Sequence, residues 1–124
     1  MSENYAGVFD ELKQQNENVR EGCVMDEYGG IVFSSSEWIS AKEVAGVLDA
    51  WSNHGFRLEV AGMGFSILRS EPEALVSKNV ASGSSILGSI TKDKKYFIAQ
   101  LGPMPAESIG RMLFDVARAA DKME

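Results

Sequence analysis

Residues 81 to 89 read Ala81-Ser82-Gly83-Ser84-Ser85-Ile86-Leu87-Gly88-Ser89, with two glycines five apart and a serine behind the second. That spacing is the skeleton of a phosphate-cradling loop. Such a loop needs a lysine before the hydroxyl residue and a helix directly after it, so that backbone amides and the helix dipole face the anion. Here Gly88 runs straight into Ser89 and Ile90, then into the polar turn Thr91-Lys92-Asp93-Lys94 and the β-rich run Tyr96-Phe97-Ile98-Ala99. The pattern predicts a hairpin with Gly83 at its tip, a strand over 84–90 and a second hairpin at the lysine turn. No nucleotide site is expected.

The remaining reactive residue types are sparse. Cys23 is the one cysteine, so no internal disulfide forms, and its neighbours Gly22 and Val24 place it in a buried strand as a small core residue. His54 is the one histidine and sits in the turn Ser52-Asn53-His54-Gly55. One Cys and one His cannot supply a zinc tetrad, and no HExxH or CxxC spacing occurs. A Cys–His nucleophilic pair is formally open, but a turn histidine ordinarily points to solvent. With no paired carboxylates or titratable cluster, neither an enzyme nor a cofactor is expected.

Charge narrows the partners. Twelve basic residues against 18 acidic ones leave a net charge of −6. Nucleic-acid binding needs a basic stripe that displaces counterions, so it is not expected. The one local basic cluster, Lys92, Lys94 and Lys95, falls on a turn, where such clusters are ordinarily solvated.

One residue type is out of place. Ile109, Met112, Leu113, Val116 and Ala120 form a helical apolar stripe near the C-terminus, and Phe114 lies about 140° round the helix from Ile109, among Arg111 and Arg118. An aromatic ring beside arginines, off the core stripe, has the composition of an interface hot spot. Phe114 is therefore expected to be at least partly exposed and to bind something.

The elements that hold these residues follow from periodicity. Tyr5, Val8, Phe9 and Leu12 recur at i, i+3, i+4 and i+7, predicting a first helix over about Glu3 to Gln15. Cys23 to Met25 then pairs with Ile31 to Ser34 across a turn containing Gly29-Gly30. Ser40-Ala41-Lys42-Glu43 is a capping box, so a second helix starts at Ala41, buries Val44, Val47, Leu48 and Trp51, and ends before Gly55. Five strand-like runs follow, Arg57 to Val60, Phe65 to Arg69, Ala74 to Lys78, Ser84 to Ile90 and Lys95 to Gln100. Their breakers are Gly62-Met63-Gly64, Ser70-Glu71-Pro72-Glu73, Ala81-Ser82-Gly83 and Thr91 to Lys94, and connections this short favour an antiparallel meander. Gly102-Pro103-Met104-Pro105 opens the last helix, with Pro105 suited to its first position.

These 124 residues suit one domain with one core, and the apolar share of 44% with 24% charged residues is that of a globular chain. No apolar run approaches the roughly eighteen residues of a membrane span. Met1-Ser2-Glu3-Asn4 is acidic and no apolar segment follows, so no signal peptide and a cytoplasmic location are expected. The expected fold is α+β. A central antiparallel sheet of about seven strands carries the terminal helices on one face and the middle helix on the other.

The order of elements and several strings resemble the profilin family over nearly the whole chain. The strings are Gly22-Cys23-Val24-Met25-Asp26, Ile39-Ser40-Ala41-Lys42-Glu43-Val44, Phe65-Ser66-Ile67-Leu68-Arg69, Ala81 through Ile86, Lys95-Tyr96-Phe97-Ile98 and Gly102-Pro103-Met104. The resemblance is to a divergent, archaeal-type branch. It implies a small monomeric cytoplasmic protein of the cytoskeleton that binds monomeric actin, regulates its polymerisation and, in excess, inhibits spontaneous nucleation. Matched by position, the actin surface it implies comprises Ser66, Arg69, Lys78, Met104, Arg111, Phe114 and Asp115. Phe114 stands where the family has a tyrosine.

The family's groove for proline-rich segments matches poorly. Tyr5 and Phe33 stand for two of its aromatics, Val8 aligns near a third, and the run Arg118 to Glu124 has none. Binding of proline-rich segments is therefore expected to be weak or absent, and the acidic charge weighs against phosphoinositides. A rival plan, the roadblock or longin-like dimeric scaffold domain that serves small GTPases, shares the helices and first hairpin. It expects three strands after the central helix where five are counted here.

Overall fold

The computed structural model describes residues 4–124. Helix α1 spans Tyr5–Gln15, β1 Val19–Met25, β2 Ile31–Ser34, α2 Ala41–Ser52, β3 Arg57–Val60, β4 Met63–Glu71, β5 Ala74–Lys78, β6 Ser85–Ile90, β7 Tyr96–Leu101 and α3 Ile109–Ala120, the last preceded by a 3₁₀ turn at Ala106–Ser108. All seven strands form one antiparallel sheet in the order β2-β1-β7-β6-β5-β4-β3. The one neighbour pair not adjacent in sequence is β1 with β7. It brings the two ends of the chain together, so α1 and α3 lie side by side on one face.

Strand alternation divides the core in two, because successive side chains point to opposite faces. On the face of α1 and α3, Tyr5, Phe9 and Leu12 pack with Val24, Leu87, Phe97, Met112 and Val116. On the other face Val44, Val47 and Trp51 of α2 pack with Cys23, Phe65, Leu75, Ile86 and Ile98. The expected layering is the observed one. Five strands follow α2 within the single sheet, so the three-strand plan of the scaffold domains does not fit.

The capping box forms as expected. Glu43 N–H donates to the Ser40 hydroxyl at 3.2 Å and Ser40 N–H donates back to the Glu43 carboxylate at 3.0 Å. Glu43 also accepts from Ala61 N–H at 2.8 Å, tying the start of α2 to the β3–β4 turn. These amide donors, the Ser40 backbone first, hold its carboxyl below the usual range.

Several boundaries differ from the sequence expectations. Asn4 precedes α1 and Tyr5 is its first helical residue; the expected start at Glu3 lies outside the described residues. The β3–β4 turn is only Ala61 and Gly62, both left-handed, so Met63 and Gly64 belong to the strand. Two consecutive positive φ values give the turn that matches strand twist. At the end of α2 the left-handed residue is His54, at φ +54°, and not Gly55. Gly55 is needed for another reason: a Cβ there would sit 3.2 Å from the Ala50 backbone. Pro105 is extended and caps the 3₁₀ turn, so α3 proper begins at Ile109.

Candidate functional site

In the loop between β5 and β6, Gly83 takes φ +79°. Its amide donates to the Asn79 carbonyl at 2.8 Å, and Ser82 N–H donates to the Asn79 side chain at 2.7 Å. The amides a phosphate would need are committed to the hairpin itself. Cys23 is fully buried, and burial pushes its thiol up to about 12. The exposed His54 places Nδ1 3.1 Å from the Ser70 carbonyl. Among the described residues no group of three His, Cys, Asp or Glu side chains could hold a metal.

The surface that stands out lies where helices stop covering the sheet. On the terminal-helix side, α3 packs on β6 and the edge of β5, and α1 on β1. Among the described residues, no helix packs extensively on the same face of β3 and β4. Ser66 pairs with Lys78 across β4–β5, and Arg69 pairs with Val76, which is part of the terminal-helix core. Both Ser66 and Arg69 therefore face this side, although they are three residues apart and simple alternation would oppose them. The register shift between Ile67 and Arg69 reconciles the two: Leu68 is an extra residue, a β-bulge, and is itself 62% exposed.

Beside this bare face, α3 presents Phe114, 61% exposed, with the Arg118 guanidinium carbon 5.8 Å from its ring centroid. Helix and sheet enclose a groove of about 570 Å³ in which Arg69 and Ala74 face Leu113, Phe114 and Ala117. Arg69 is paired on its own strand with Glu71. The wall is apolar and the rim is charged.

The expected actin-surface residues divide. Arg69 and Phe114 share the groove, and Ser66 and Lys78 extend the same sheet face. Exposed Arg111 lines a separate polar depression with Gln14 to Asn18 and Ser108. Asp115 lines a cleft between α1 and α3 with Val8, Glu11 and Arg118. Met104 is half-buried against the terminal-helix core. Sequence reasoning did not single out Glu71, Leu68 or the groove position of Arg118. The one available signal was the odd spacing of Ser66 and Arg69, which only a bulge places on one face.

Tyr5 and Phe33, the two residues that stand for the family's groove aromatics, are both withdrawn from solvent. Tyr5 is only 2% exposed and its hydroxyl donates to Asp93. Lys95 donates to the same carboxylate at 2.6 Å and Thr91 to its other oxygen. Burial alone would raise the Asp93 carboxyl, but the bonds from Lys95, Thr91 and Tyr5 outweigh it and the net shift is downward. Phe33 is half-buried, its ring 6.0 Å from Phe9. The C-terminal segment closes over α1: Met123 is buried, and Asn4 exchanges bonds with Glu124 at 3.2 and 2.9 Å. Of the lysine cluster, Lys95 pairs with Asp93 and Lys92 with Glu124. The local positive charge is largely neutralised.

No family model matches the sequence, and no curated protein matches it. Solved structures do. LokiProfilin2 in complex with rabbit actin matches at a TM-score of 0.81 and 20% identity, over 98% of this chain and 96% of that one. LokiProfilin1 matches at 0.81 and 20%, over 98% and 96%. Schizosaccharomyces pombe profilin matches at 0.77 and 15%, over 94% of each chain. At such identities the likeness speaks for the fold, and it does so over nearly the full length: the chain has the profilin fold.

Proposed function

We propose that the chain is a profilin-like protein that binds monomeric actin one to one through α3, the loop before it, the bare face of β4 and the adjoining Lys78 of β5. The observation that carries this reading is the groove that brings Arg69 and Phe114 together, on a fold whose structural neighbours include two complexes with rabbit actin. An exposed aromatic ring flanked by guanidinium groups is what a desolvating protein interface uses as an anchor. Occupying one face of the monomer delays spontaneous nucleation when the protein is in excess. The role is non-enzymatic, in the cytoplasm and at the cytoskeleton, and the protein acts as a monomer.

The test is a titration of purified actin with the protein. Co-migration on a sizing column and a nucleation lag that lengthens with excess protein are expected. Arg111→Glu, a charge reversal on the exposed side of α3, should weaken both without lowering the melting temperature. Absence of co-migration and an unaltered lag across a wide excess, with actin from more than one source, would overturn the reading.

A further inference from the structure

We propose that Glu71 is a positioning residue that sets the Arg69 guanidinium to receive a carboxylate of the partner, and that the groove takes a segment presenting an apolar side chain beside an acidic one. The proposal rests on the actin reading and names the chemistry of that contact. Arg69 and Glu71 lie two apart on β4, so both project from the bare face, and Arg69 Nε–H donates to Glu71 Oε1. Their side chains are 54% and 51% exposed. An ion pair in that setting contributes little to folding, because water screens it and two long side chains must be ordered to make it.

Its consequence is geometric. A guanidinium carries five N–H donors in a rigid fork. With Nε held by Glu71, the plane of the fork is fixed and the terminal amino groups are left for a bidentate carboxylate. Ordering that side chain in advance removes part of what association would otherwise cost. Arg118 stands on the opposite wall over Phe114, and no ion pair engages it among the described residues. Two guanidiniums thus flank an apolar ring. The acids on the rim, Glu73 and Asp121, also line an adjoining depression that holds Lys92 and Lys94. Lys94, which no ion pair engages among the described residues, offsets part of that rim charge, and the Arg69–Phe114–Arg118 stretch, which holds the unpaired Arg118 guanidinium, is the part of the groove suited to an acidic segment.

The experiment compares actin binding by wild type, Glu71→Ala and Glu71→Gln, each with and without Arg69→Ala, alongside the NMR signal of Arg69 Nε–H in the free protein. Glu71→Ala should weaken binding by about threefold, the scale of an exposed pair, and Gln, which still accepts from Nε, should restore it. In the Arg69→Ala background the Glu71→Ala effect should vanish. The Nε–H signal should be sharp in wild type and Glu71→Gln and broadened by solvent exchange in Glu71→Ala. Tighter binding by both Glu71 variants would mean that Glu71 competes with the partner, and the proposal would fall. It would fall equally if Glu71→Ala had no effect, or if its effect survived removal of Arg69. Failure of wild type itself to bind actin refutes the functional reading and this inference with it, whereas wild-type binding indifferent to Glu71 refutes this inference alone.

Discussion

Truncating Phe114 separates an interface anchor from a core residue by magnitude. A phenylalanine side chain contributes roughly 200 Å². With 61% of the residue exposed, about 120 Å² of that remains available to a partner and about 80 Å² is already covered. At ~25 cal/mol per Å², full burial of the exposed share is worth up to ~3 kcal/mol of binding, and ordering costs bring the expected loss for Phe114→Ala to ~2 kcal/mol, about thirtyfold in Kd. The covered share and the stacked Arg118 set the stability cost at ~1–2 kcal/mol, well below the ~3–5 kcal/mol of a core phenylalanine. For a domain of this size ~1 kcal/mol moves the melting temperature by about 4 °C, so a fall of under about 8 °C is expected. The assay pairs a thermal melt with an actin titration on the folded fraction. A fall well beyond 12 °C or so with undiminished affinity would show that the ring supports the core and that this helix face does not meet actin.

Other perturbations test the packing. Gly22→Ala would set a Cβ 2.5 Å from the buried Phe9 ring, so a loss of about 1–3 kcal/mol is expected in urea melts. Gly46→Ala, in the middle of α2 with nothing within 4 Å, should instead stabilise by about 0.5–1 kcal/mol; equal effects of the two would refute the close packing of Phe9 on Gly22. The Asp93 carboxyl is depressed in the folded state below its ordinary 3.8, so the folded chain binds fewer protons than the unfolded one near that value. Its contribution is therefore complete above about pH 4 and lost as pH falls through the folded value, and Asp93→Asn should flatten that acid limb; identical slopes for both proteins would count against the Tyr5–Asp93–Lys95 cluster. A proline decamer should produce no saturable NMR shifts at low micromolar concentration, since Tyr5 is covered and Phe33 packs on Phe9; shifts centred on those two rings would show an open groove.

The sequence by itself determined whatever rests on local rules. The capping box at Ser40 and Glu43 joins residues three apart, so the start of α2 was readable to the residue. The 3.6-residue stripes named most of the buried face of α1 and α3, and the period-2 runs separated by short breakers gave five strands after α2 and hence an antiparallel sheet. Phe114 was placed off the core stripe by helix geometry alone, and it is exposed. Only the tertiary structure decided the rest, because it depends on contacts between residues far apart in the chain or on a change of register within a strand. The Tyr5 hydroxyl meets Asp93 across 88 positions, which turns an apparent aromatic platform into a buried anchor. Met123 breaks no periodicity and carries no capping signal, yet it is buried where the chain's end folds back on α1. Leu68 looks like one more strand residue until the pairing of β4 with β5 makes it a bulge, and that bulge turns Arg69 toward Phe114. Hydrogen bonds over three or four residues and side-chain periods are properties of a short segment. A groove between a helix and a strand exists only once both have docked on the same sheet.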